Sequence, residues 1–193
     1  MARDMTPILK RCRALGIEPQ VMGINKKSNR NPQKTRRKES EYGRQLKEKQ
    51  KVKFVYGIME KQFRNIYDRA SRMQGITGEN LLQLLELRLD NTVYRLGFAD
   101  TRAQARQYVS HSHFLVNGKK LNIPSATLRV GDVITLKDRS KKLEPFKELE
   151  DANVPDWLSM NWDTMEAKVV GLPSRSDIDF EVEETLIVEL YSR

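Results

Sequence analysis

The sequence predicts an α+β fold, a mostly helical N-terminal domain followed by a small domain of helices and antiparallel sheet. Three observations predict it. Apolar residues between positions 40 and 89 recur at helical spacing, while those between 114 and 136 fall in short runs punctuated by Asn117-Gly118 and Gly131-Asp132. The charge also changes sign along the chain. Residues 1–74 carry 20 Lys and Arg against 7 Asp and Glu, a net of +13, whereas residues 75–193 carry 15 against 19, a net of −4. The expected divisions are a basic arm with a helical domain over 1–82, the helix-and-sheet domain over 83–142, and an acidic segment over 143–193 that packs back on the helical domain.

The elements follow in order. Residues 19–38 hold Gly23, Asn25, Asn29, Asn31 and Pro32 among basic and small polar side chains, with almost no apolar periodicity, so this arm cannot fold alone. Ser40 starts a helix that runs to Tyr56, where Gly57 interrupts it. A second helix spans Met59 to Met73, with Met59, Phe63, Ile66, Tyr67, Ala70 and Met73 in one core stripe. Leu81, Leu82, Leu84, Leu85, Leu87 and Leu89 make a third helix too apolar to be exposed, expected to be buried between the two domains. Gly97 stops the helix before it, and Thr101 with Gln104 forms a capping box that starts the next at Arg102. In that helix Ala105, Tyr108 and Val109 form an apolar face, while Arg102 and Arg106, four apart, share another.

Phe114-Leu115-Val116, Asn117-Gly118 and Lys119-Lys120-Leu121 then read as a hairpin, because Asn-Gly tolerates the positive φ angles of a type I′ turn. Val133 to Leu136 is a further strand after the Gly131-Asp132 turn. Beyond Lys142 the chain turns acidic, with 4 basic and 13 acidic side chains over 143–193, a net of −9. Trp157 and Trp162 are expected as core anchors of a loop containing Pro155. Val182, Leu186, Ile187 and Leu190 fit an amphipathic helix, but Leu186, Val188 and Leu190 also fit an alternating strand, and periodicity leaves both open.

Several function classes drop out. No run of about 18 apolar residues is present to span a membrane, and the N-terminus lacks the apolar stretch of a secretory signal. Cys12 is the single cysteine, so an internal disulfide is excluded. His111 and His113 would point the same way in a strand, but third and fourth metal ligands are missing nearby. Asp177, Asp179, Glu181, Glu183 and Glu184 lack the glycine turn of a calcium loop, and Gly75 and Gly78 lack the Lys-Ser/Thr of a phosphate loop. No catalytic residue, metal site or cofactor is expected. The basic third of the chain instead attracts phosphate, chiefly by releasing condensed counterions. A solvated tail would explain the charge, but not the interleaved Tyr42, Phe54, Tyr56 and Phe63.

The segments Arg88-Leu89-Asp90, Arg95-Leu96-Gly97-Phe98, Thr101-Arg102 with Ala105-Arg106, Val116-Asn117-Gly118 and Gly131-Asp132 resemble, in order, the S-four-type RNA-binding domain. Ser40-Glu41-Tyr42-Gly43, Tyr56-Gly57, Gln62-Phe63-Arg64-Asn65, Gly78-Glu79-Asn80-Leu81-Leu82 and the ending Leu186 to Arg193 extend the likeness. Together they resemble the small-ribosomal-subunit protein S-four family of bacteria and organelles. Two departures stand out. Many members hold zinc through four cysteines near the N-terminus, and this chain has one, which makes it a zinc-free type. Members often carry glycine between two histidines where this chain has Ser112, so a positive φ there would cost some strain.

What the resemblance implies is a structural, non-enzymatic constituent of the small subunit, working in the cytoplasm. It would bind ribosomal RNA early in assembly at a multi-helix junction of the 5′ domain. It would also contact the neighbouring protein S-five, affect decoding accuracy and, in some members, repress its own message. It would be a monomer within the ribosome, with no membrane contact. The RNA-facing residues would be Arg3, Lys10, Arg11, Arg13, Lys34, Arg36, Arg37, Lys38, Arg44, Lys47, Lys49, Lys51, Lys53, Arg64, Arg69 and Arg72 in the N-terminal part. In the sheet domain they would be Arg95, Arg102, Arg106, His113, Lys119 and Lys120. Glu181, Glu183 and Glu184 would face the protein neighbour. Two rivals use the same domain. An RNA-modifying enzyme fails because no segment outside 83–142 offers the needed strands and central carboxylate, and a free-standing RNA chaperone leaves the N-terminal helices unexplained.

Overall fold

The computed structural model describes residues 6–26, 30, 40–147, 149 and 153–192; the candidates Arg3, Lys34, Arg36, Arg37 and Lys38 lie outside the described residues. The chain divides into two compact units, Met1–Leu82 with Ile178–Arg193, and Gln83–Asp177. The fold class is α+β, as expected.

The first unit is helical. Helix α1 (Ile8–Leu15) buries Cys12 and Leu15 and ends at Gly16, whose φ of 70° lets the Ile17 amide bond back to the Cys12 carbonyl at 3.0 Å. Periodicity did not predict this helix, whose apolar face is only a few residues long. Helix α2 (Glu41–Val55) starts at Ser40, whose hydroxyl accepts from the Gly43 amide at 3.2 Å, and gives way at Gly57 with φ 62°. Helix α3 (Glu60–Ala70) buries Phe63, Tyr67 and Ala70, whereas Met59 and Met73 lie beyond its ends and are exposed.

The expected third helix is two. Helix α4 (Thr77–Glu86) stops before Arg88, whose backbone is extended and bridges Thr127, and α5 (Leu89–Arg95) begins afresh. A leucine run at helical spacing hides this break because Leu87 and Leu89 are buried whichever conformation carries them. The C-terminal segment left open by periodicity is helix α8 (Glu184–Tyr191). It buries Leu186 and Ile187 and stacks Tyr191 on Tyr67 at 4.4 Å, while Gln45 of α2 donates to Glu189 at 3.0 Å.

The second unit packs α5 and α6 (Arg102–Ser110) with one antiparallel sheet. Its strands are β1 (Phe114–Val116), β2 (Lys119–Lys120), β3 (Val133–Leu136), β4 (Leu158–Asn161) and β5 (Glu166–Val169), in the order β2-β1-β3-β5-β4. The short helix α7 (Asp138–Lys141) follows β3. Phe114 pairs with Leu136 and Ile134 with Ala167, which fixes the face that meets the core of Leu89, Val93, Phe98, Ala105, Val109 and Trp157.

The expected single acidic segment over 143–193 is therefore divided. Residues up to Asp177 stay with the sheet, and only those from Ile178 onward join the helical unit. Burial outweighs net charge here. Leu158, Ala167 and Val169 face the core while Ser159, Glu166 and Lys168 face out, and a large apolar side chain buried this way is worth about 1.5–3 kcal/mol against at most about 1 kcal/mol for a surface charge contact. Trp157 anchors this region from the core, as expected. Trp162 is half-buried, 6.3 Å from the Phe98 ring.

Candidate nucleic-acid interface

The arginines of the second unit do not stand where their spacing suggested. Glu86 is fully buried and takes hydrogen bonds from Arg95 Nε at 2.9 Å, Arg95 Nη2 at 2.8 Å and Asn91 Nδ2 at 2.7 Å. Arg88 grips Asp90 with both ends of its fork, at 3.0 and 2.7 Å. Arg102 donates through Nε to Asn91 Oδ1 at 2.9 Å and lies 4.4 Å over the Tyr94 ring. Arg106 reaches Asp90 at 3.8 Å; burial pulls its guanidinium below the ordinary range, against the opposing pull of Asp90.

Arg95 and Arg102, expected to face phosphate, bond here to Glu86 and Asn91. Both belong to a buried ionic lattice that ties α5 and α6 to the end of α4. The cause is Glu86. A buried carboxylate with no cation beside it would be very costly, so the nearest arginines turn inward. The cap of α6 differs slightly as well. Thr101 accepts from the Gln104 amide at 3.2 Å as expected, but Gln104 Oε1 accepts from the Asp100 amide rather than from that of Thr101.

Lysines occupy the outer positions of this unit. Asn117 and Gly118 have φ 51° and 74°, the positive pair of a type I′ turn, and Lys119 and Lys120 stand exposed just past it. Asn117 also braces the tip, its Nδ2 donating to Asp132 and its Oδ1 accepting from the Val133 amide, both at 2.9 Å. Both histidines lie in the turn between α6 and β1 rather than in a strand. His111 caps α6, and His113 Nδ1 is 2.9 Å from the Ser140 hydroxyl of α7. Burial, then the charges of His111 and Lys137, push the His113 imidazole below its usual range. Between them Ser112 has φ 64°, the left-handed conformation that glycine would adopt freely, and its carbonyl accepts from Lys137 Nζ. Lys137, Arg139, Lys141 and Lys142 were not among the expected RNA-facing residues. Four cations in six residues were a visible signal, and the bonds to Ser112 and His113 bring them beside that turn.

In the helical unit Lys10, Arg44, Arg64, Arg69 and Arg72 are exposed, and Arg11, Arg13, Lys47, Lys49, Lys51 and Lys53 half-buried. Arg11 is committed to Gln50 at 3.1 Å, Lys51 to Glu48 at 2.7 Å, and Arg44 lies 4.0 Å from Glu41 and 3.9 Å from Glu183. Lys49 and Lys53 both donate to Glu60; burial raises the pKa of this carboxyl, but those two hydrogen bonds outweigh it and hold the group at about 2. Of the three glutamates expected to meet a protein, Glu181 and Glu183 are exposed, whereas Glu184 lies against Gly78. Among the described residues no group of three or more His, Cys, Asp or Glu could hold a metal, and no helix is long and apolar enough to cross a membrane.

Known family models match both parts of the chain. Residues 3–86 match the family model described as the ribosomal protein S4/S9 N-terminal domain, and residues 87–134 match the S4 domain. Proteins named small ribosomal subunit protein uS4 are similar over the full length of both chains, with 53% identity over 198 residues in Lachnoclostridium phytofermentans and 54% over 197 in Lachnospira eligens. The one from Fusobacterium nucleatum is 51% identical over 195 residues, again covering both chains entirely. With both family models adjoining from residue 3 to residue 134 and half of all positions shared with such relatives, this chain belongs to the uS4 family of small-ribosomal-subunit proteins, a family of structural proteins and not of enzymes.

Proposed function

We propose that the chain is a primary ribosomal-RNA-binding and assembly protein that holds a multi-helix junction in the 5′ domain of the small-subunit RNA. The observation that carries this reading is the presentation of cations by two separately compact units. One offers Lys10, Arg44, Arg64, Arg69 and Arg72 on helices and adjoining turns, the other offers Lys119 and Lys120 on a braced hairpin tip with Arg139 and Lys142 beyond β3. Two such surfaces recognise the placement of phosphates and riboses in a folded RNA, because the deep groove of an A-form helix hides its base edges. Joined in one chain, each raises the effective concentration of the other. Arg95 and Arg102 serve this function indirectly, by holding the second unit in shape. The protein acts as a monomer in the ribosome, which in bacteria lies in the cytoplasm.

Glu181 and Glu183, exposed ahead of α8, suit a basic protein neighbour, for which the family suggests S-five, with an effect on decoding accuracy. Footprinting of the purified chain on naked small-subunit RNA tests the main reading. Protection confined to a junction of the 5′ domain is expected, and protection elsewhere or uniform along the RNA would overturn it. For the protein contact, Glu181→Lys with Glu183→Lys should leave RNA affinity equal or slightly higher and raise misreading in a reporter. Normal accuracy with normal assembly would count against the contact.

A further inference from the structure

Glu60 occupies the place of a ligand anion. Its Oε1 accepts from Lys49 Nζ at 2.7 Å and from the Tyr191 hydroxyl at 3.1 Å, and its Oε2 accepts from Lys53 Nζ. The two lysines stand one turn apart on α2, and their side chains are 12% and 14% exposed against 49% for Glu60. The carboxylate is thus the outer layer and the cations lie behind it. Lys49 also sits 5.5 Å from the centre of the Tyr191 ring, which is itself stacked on Tyr67 and on Phe63, at 4.4 and 6.3 Å. Two ammonium groups and a phenol converge on the oxygens of one anion, and the phenol is held on a stacked aromatic base. The carboxylate, by contrast, hangs from the first residue of α3 and can swing outward by side-chain rotation alone.

We propose that Lys49, Lys53 and Tyr191 form a phosphate-binding site for the RNA backbone, filled in the unbound chain by the Glu60 carboxylate and vacated when a phosphate displaces it. The inference rests on the reading of the chain as an RNA-binding protein and adds a specific exchange to it. A phosphate brings more negative charge and a further acceptor oxygen to the same donors, so it competes well for the two lysines. Until then one of the pair's two positive charges is offset, which lowers its attraction for stray polyanions. The competing account is a clamp that only ties α2 to α3 and α8.

The test is titration of full-length protein with naked small-subunit RNA at several KCl concentrations. Glu60→Gln keeps the shape of the side chain and removes its charge, so affinity should rise roughly three- to ten-fold, and Glu79→Gln, which makes the same charge change at an exposed position of α4, should raise it much less. Lys49→Gln with Lys53→Gln should weaken binding and reduce the log-log salt slope by roughly 0.7–0.9 for each phosphate no longer neutralised. Equal affinity for wild type and Glu60→Gln, equal increases in the two glutamine variants, or a lysine double variant that binds like wild type would each overturn the exchange in favour of the clamp. Failure of the wild-type chain to bind the RNA at all would instead strike the functional reading itself.

Discussion

Four arginines between residues 88 and 106 of the sheet-bearing unit turn inward, whereas most described cations of the helical unit lie at or near its surface. Arg88, Arg95, Arg102 and Arg106 fall in the stretch that most resembles an RNA-binding motif, and all four make bonds or close approaches to Glu86, Asp90 or Asn91. On α2 and α3, Arg44, Arg64 and Arg69 are exposed, and even the covered Lys49 and Lys53 share a half-exposed carboxylate. The difference teaches that a basic residue in a recognition motif is not thereby a phosphate ligand. Where a carboxylate is buried, its cations are structural; where it is on the surface, its cations can be exchanged.

The sharpest way to break this comparison is charge reversal inside the lattice. Arg102→Glu with Arg106→Glu places two carboxylates beside Asp90 and Asn91 and should destabilise the second unit by about 3 kcal/mol or more, taking RNA binding with it. Circular dichroism during heating measures this, and a double variant that melts like wild type would show that the lattice contributes nothing. Close packing supplies the next effect. A Cβ added at Gly78 would come within 2.8 and 2.9 Å of the side-chain carbons of Glu184, so Gly78→Ala should cost about 1–3 kcal/mol in urea denaturation, a cost that Glu184→Ala in the same chain should partly relieve.

The other three predictions sharpen the contrast. Lys119→Gln with Lys120→Gln, outside any buried pair, should change stability by no more than about 0.5 kcal/mol, yet weaken RNA binding and flatten its salt dependence. Unaltered binding would remove the hairpin tip from the interface. Ser112→Gly relieves a left-handed backbone at φ 64° and should stabilise the unit by roughly 1 kcal/mol, visible as a higher melting temperature; a lower one would mean that the flexibility gained by the unfolded chain wins. The smallest effect is acid sensitivity from Glu60. Its folded pKa of about 2 lies below the ordinary unfolded value of about 4.3, so its stabilisation is present above that value and lost as pH falls toward 2. Glu60→Gln should make the urea midpoint fall less over that window, and an identical decline in both proteins would show that Glu60 gains nothing from its lysines.

Local signals were legible in the chain because their physics is local. Ser40 and Thr101 cap helices, Gly57 and Gly97 interrupt them, and Asn117-Gly118 turns a hairpin, each through bonds or backbone angles within three or four residues. The sequence by itself also determined the fold class and the excess of positive charge at the N-terminal end, which periodicity and composition carry directly, and the resemblance of its motifs to a known family placed the S-four-type domain. Only the tertiary structure decided the use of each charge. Glu86 meets Arg95 across the break between α4 and α5, Asn91 meets Arg102 from another helix, and Glu60 meets Tyr191 from 131 residues away. It likewise gave 158–169 to the sheet and 184–191 to the helices, although both carry the same acidic character. The physical reason is that charge adds up along a chain regardless of its shape, whereas desolvation, which decides between buried lattice and open surface, exists only once the elements have packed.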